Sequence, residues 1–155
     1  MTKVIRTVAV SAIIIGAFAT VAIAAGTSTK GKSDSGTIYT AITHTAGGFE
    51  YAAGNDNDKL LGSTAVTYKI KAGASSNGIV LTIPSIVVFT STGELSGSGT
   101  AKIAISGTTE TVSDGKFDLT KGTGAQKGHS EAGTFHGTGS TTTGQYVFTE
   151  KGTYK

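Results

Sequence analysis

The chain has 155 residues with no Cys, no Trp, one Pro and 23 Gly, and its 27 Thr and 15 Ser make small and hydroxyl side chains dominant. That length fits one domain. Without Cys there is no disulfide framework, no thiol catalysis and no Cys-ligated zinc. A charged fraction of 15% beside 37% hydrophobic residues also lacks the high charge of a disordered chain.

Lys3 and Arg6 precede an apolar stretch over residues 7–25 that ends Ala22-Ile23-Ala24-Ala25-Gly26. A basic start, an apolar centre and a small-residue exit are the layout of a secretory signal peptide. Residues 1–25 are therefore expected to form a signal helix, cleaved after Ala24 or Ala25. The alternative is an uncleaved anchor, because the stretch approaches the ~20 residues needed to cross a bilayer. Beyond the leader, eleven Lys against ten acids leave a net charge of +1, so the sequence pI of 9.1 overstates the basicity of the mature chain. Those Lys are scattered among acids without a cluster, which argues against nucleic acid as a partner. The mature protein is expected to be secreted, periplasmic or held at the cell envelope.

Residues 26–36, GTSTKGKSDSG, carry no large apolar side chain and read as a flexible linker into a domain over residues 37–155. From there, short runs rich in Val, Ile, Thr, Tyr and Phe alternate with Gly and Asn/Asp clusters. Eight strands are expected, near 37–45, 49–53, 63–71, 79–90, 94–105, 116–120, 129–138 and 145–154. Alternation puts Val66, Tyr68 and Ile70 on one face of the third, and Tyr146, Phe148 and Tyr154 on one face of the last. Pro84 has no N–H to donate, so the long apolar run around it is expected to bulge or bend there. Gly54-Asn55-Asp56-Asn57-Asp58 offers paired carboxylates that could chelate Ca²⁺, but it lacks the Gly and distal Glu of a calcium loop and reads as an Asx-rich turn. Ser76-Asn77-Gly78, Ser91-Thr92-Gly93 and Ser113-Asp114-Gly115 read as hairpin turns.

The fold class is thus all-β, a single antiparallel barrel of about eight strands, with a β-sandwich as the alternative; Gly inside strands favours the barrel. A membrane barrel would show a continuous apolar outer band and aromatic girdles, and neither is present, so no stable membrane insertion is expected after cleavage. Residues 114–155, with Lys121-Gly122-Thr123-Gly124, Gly128 and Gly133, resemble the C-terminal part of small exported proteins of the allene oxide cyclase and dirigent barrel group. What the resemblance implies is an eight-stranded antiparallel barrel with a central cavity. No activity or catalytic residue carries over with it.

Candidate chemistry is sparse. Gly122-x-Gly124 lacks the spacing and following helix of a phosphate loop. His44, His129 and His136 with Glu131 are the one acid–base or metal set; on an extended strand His129 and Glu131 share a face that His136 does not. No G-x-S-x-G elbow occurs. The expectation is no catalytic residue, no metal and no cofactor. Tyr68, Phe135, Tyr146 and Phe148 are the candidate ligand-binding residues, lining the barrel interior. The functional reading is an exported non-catalytic barrel that binds a small apolar or aromatic molecule or serves as an envelope protein. The alternative is a cyclase-like or dirigent-like protein that steers a reactive intermediate by shape.

Overall fold

Strands that alternate apolar and polar residues each bury one row of side chains and wet the other. Closing such a sheet on itself gives the buried rows a common interior and removes exposed edges. The computed structural model, which describes residues 31–75 and 78–155, has this form. Its strands are β1 (Lys32–Ala46), β2 (Phe49–Asp58), β3 (Gly62–Ser75), β4 (Gly78–Thr90), β5 (Gly93–Ser106), β6 (Thr109–Gly122), β7 (Glu131–Ser140) and β8 (Gln145–Tyr154). They pair with their sequence neighbours, and β1 pairs with β8 from Lys32↔Tyr154 to Ala41↔Gln145. This is one closed antiparallel barrel, and the sandwich is set aside. A single 3-10 turn, Gly124–Gln126, bridges β6 and β7. The expected signal peptide lies outside the described residues.

Three local expectations are corrected. The first strand starts at Lys32, so residues 32–36 are not linker: closure gives the N–H and C=O groups of β8 their partner from Tyr154 to Glu150, and that requirement overrides the flexible composition. Residues 54–58 are not a turn but the second half of β2, laddered to β1 as far as Gly36↔Asp58 and to β3 as far as Asp58↔Gly62. Ser113-Asp114-Gly115 is a bulge within β6, where the ladder to β7 slips between Val112 and Gly115 and Asp114 takes φ +51°. Lys102 Nζ donates to Asp114 Oδ2 at 2.7 Å across it. Around Pro84 the ladder to β5 slips between Ile83 and Ile86, which is the bulge a donor-less residue demands.

The core is a cluster of Ile38, Val66, Ile83, Ile86, Val88, Leu95, Phe117 and Leu119, with Leu95 fully enclosed. Each such side chain contributes about 1.5–3 kcal/mol by leaving water. In β7, Gly137 and Gly139 carry no side chain, and the rings of Phe148 and Tyr146 on β8 occupy the space a Cβ would need. Phe135 meets Phe148 edge to face with ring centroids 5.7 Å apart.

Candidate functional site

A cavity of about 180 Å³ runs along the barrel interior. On one wall, strands β3 to β6 offer Val66, Ile70, Leu81, Ile86, Val112 and Phe117 to it. Tyr68, Phe135, Tyr146 and Phe148 also line it, so the four residues singled out from the sequence are brought into one space. Tyr146 stacks on Phe148 at 5.8 Å and donates its hydroxyl to Glu110 Oε2 at 2.5 Å, which fixes the ring at the edge of the cavity.

The opposite wall, made by β7, β8, β1 and β2, is different in kind. Asp34, Asp56, Asp58, Glu131 and Glu150 are all buried. They arrive by strand parity: Asp34 shares its face with Ile38, Asp56 and Asp58 with Ala52, and Glu150 with Phe148. Gly36 sits between Asp58 on β2 and Glu150 on β8 in the ladders. A Cβ on Gly36 would lie 2.6 Å from Glu150 Oε1 and 2.7 Å from Asp56 Oδ1, so this glycine makes the room into which the carboxylates converge. Backbone amides hold one oxygen on each of two aspartates: Asp34 Oδ1 accepts from the Ser35 N–H at 2.8 Å, and Asp58 Oδ1 from those of Leu60 and Leu61 at 2.6 and 2.5 Å. On the third side Gln126 is buried and accepts the Tyr154 hydroxyl at 2.7 Å.

Charge is sorted across the sheet. Lys32, Lys59, Lys71, Lys116 and Lys151 are exposed, and Lys69 lies over the Phe49 ring at 4.1 Å. Among the described residues, every charged group that lines the cavity is an acid: Glu50, Asp56, Glu110, Glu131 and Glu150. Burial first, then the charges of Asp58, Asp34 and Asp56, pushes the Glu131 carboxyl up to about 8. Burial likewise raises Asp56, Asp58 and Glu150, which titrate together with their neighbours. After burial, the neighbouring Asp34 carboxyl adds to the rise at Asp58 and the Asp56 carboxyl to that at Glu150. Burial, Glu150 and Asp56 together push the Tyr68 hydroxyl far up, so it stays a proton donor facing the cavity.

The histidines do not assemble. His44 stacks on Tyr51, His129 stacks on Tyr154 with Nδ1 3.0 Å from the Lys155 carbonyl oxygen, and His136 is exposed on β7. Glu131 turns inward, while His129 precedes β7 and so does not share its face as a strand neighbour. Sequence reasoning missed Asp34 and Glu150, and it set Asp56 and Asp58 aside as a turn although their paired carboxylates could chelate a cation. The signal was present in the parity of β8, where Glu150 falls in step with Tyr146, Phe148 and Tyr154. Comparison of the chain with family models, curated proteins and solved structures finds no match.

Proposed function

We propose that this chain is an exported, non-catalytic barrel that binds a small apolar or aromatic molecule in its interior. The observation that carries the reading is the cavity of about 180 Å³ with its apolar wall and its ring-bearing residues Phe135, Tyr146 and Phe148. A space of ~150 Å³ with apolar walls accepts one benzene-sized ring, so the ligand is of one-ring size. Tyr68, whose hydroxyl keeps its proton, gives one polar anchor that orients such a ligand. The basic, apolar and small-residue order of residues 1–25 supports export.

Thermal melts with benzene, toluene, phenol and indole test this. At least one should raise the melting temperature saturably, and Val112→Phe, which fills the cavity, should remove the rise. If none shifts the melt at millimolar concentration, the reading fails. A second reading, a cyclase-like or dirigent-like protein steering a reactive intermediate, draws support from Glu131 and Glu150, proton-bearing carboxyls that line the same space. Recovery of the bound molecule unchanged favours the first reading, and recovery of an isomer favours the second.

A further inference from the structure

Among the described residues, five buried carboxyl groups and no buried Lys or Arg share one wall of the barrel, an arrangement costly for each ionised group unless protons or a cation balance it. Two triads of oxygens, Asp34/Asp58/Glu131 and Asp56/Asp58/Glu150, each lie within 4.8 Å of one another. Oxygens this close can share one ion, and a buried cage of protein oxygens suits Ca²⁺, which takes six to eight oxygen ligands, better than Mg²⁺, which dehydrates reluctantly and keeps several of its waters. The donors are all oxygen, with no Cys or His among them, which selects a hard cation over zinc or copper.

A second observation points the same way. Thr64, 3% exposed, stands across the ladder from Asp56 on the inward face of β3, and its Oγ1 has no hydrogen-bond partner. A buried hydroxyl without a partner is rare enough to require an explanation, and in this position it supplies a neutral oxygen beside Asp56. Asp34 Oδ2, Asp56 Oδ1 and Asp58 Oδ2 are likewise buried with no donor facing them apart from a carboxyl proton. In Asp34 and Asp58 the other oxygen is the one tied to backbone amides, so the free oxygen is the one presented to the interior.

We propose that Asp34, Asp56, Asp58, Glu131 and Glu150, with the Thr64 hydroxyl, form a binding site for a hard divalent cation of calcium size inside the barrel. Asp58 belongs to both triads and is the residue the site depends on most. One dication neutralises two carboxylates, and the remaining carboxyls keep their protons. Asp56, Glu131 and Glu150 also border the cavity, so the metal titration is run without apolar ligand, and its failure leaves the ligand reading to its own melts. It also differs from a calcium loop: the ligands come from five strands and are gathered by closure, not by a turn.

The test uses the purified protein stripped with a chelator and titrated with CaCl₂ or MgCl₂ at pH 7.5. Calcium should raise the melting temperature by about 5 °C or more at a hundredfold excess over its Kd, and magnesium should need at least a tenfold higher concentration for the same shift. Asp58→Asn keeps an oxygen for the Leu60 and Leu61 amides and should fold, yet lose the calcium shift; Glu150→Gln should weaken it at least tenfold. Asp118→Asn, an exposed acid on β6, should retain it. Terbium(III) emission excited through tyrosine gives an independent readout, since the chain has no Trp. No calcium shift and no terbium emission in the parent protein, equal response to both metals, or a full shift in Asp58→Asn would overturn the proposal.

Discussion

The two walls of the barrel use the same lattice and the same inward parity, yet they solve opposite problems. Strands β3 to β6 fill their inward positions with Val66, Leu81, Ile83, Ile86, Val88, Leu95, Val112, Phe117 and Leu119. Strands β7, β8, β1 and β2 place Glu131, Glu150, Asp34, Asp56 and Asp58 there, with Gly36 left bare between them. The apolar wall stabilises the fold by leaving water, whereas the acidic wall is buried at a cost. The difference teaches that the buried carboxyls, though not the apolar core, are confined to one run of adjacent strands and set there by parity and not by loops.

Breaking the apolar wall should have the largest effect. Leu95→Ala removes a fully enclosed side chain and should lower unfolding free energy by about 3–5 kcal/mol, measured by denaturant melts. A loss below ~1 kcal/mol would show that this wall does not hold the barrel together.

The acidic wall should reveal itself through pH. Glu131 keeps its proton to about pH 8 in the folded chain, while an unfolded Asp or Glu releases it near pH 4. Between those values the unfolded state binds fewer protons than the folded one, so stability falls as pH rises; below about pH 4 the contribution is fully present. Asp56, Asp58 and Glu150 are shifted in the same direction and steepen the fall. In chelating buffer the denaturation midpoint should therefore drop from pH 5 to pH 9, and Glu150→Gln should flatten that slope. A midpoint that is level or rises over this range contradicts the assignment of buried, unbalanced carboxyls.

The contrast between the walls also explains what could be read in the sequence. Strands such as β3 and β8 announce themselves by alternation, and Phe135, Tyr146 and Phe148 were legible as interior because large rings on one parity have only one place to go. The acidic wall was illegible for the same physical reason that makes it unusual. Asp and Asn normally signal turns, because their side chains compete for the backbone. SDSG and GNDND therefore looked like linker and loop, although Asp34, Asp56 and Asp58 sit in step with Ile38 and Ala52. Closure between β1 and β8 is a non-local event that no local pattern contains; it draws SDSG into a strand, and GNDND then ladders onto β1 and β3. Asp58 shows both behaviours at once, ending a strand while accepting the Leu60 and Leu61 amides as an Asx residue does.

The outer surface should be the least sensitive of all. His136, exposed on β7 beside the inward Phe135, should change stability by no more than about 0.5 kcal/mol when replaced by Ala. A loss comparable to Leu95→Ala in the same denaturant melts would place a buried or bound role on the outside of the barrel.

The division between walls is tested most directly by NMR of methyl- and ring-labelled protein during titration with toluene. The account predicts saturable shifts at Ile70, Leu81 and Val112 and at the rings of Phe135 and Phe148, all bordering the cavity, with the exposed Val147 methyls unmoved. Shifts confined to Val147 and other outward residues, or none at all, would contradict an interior built to receive an apolar ligand.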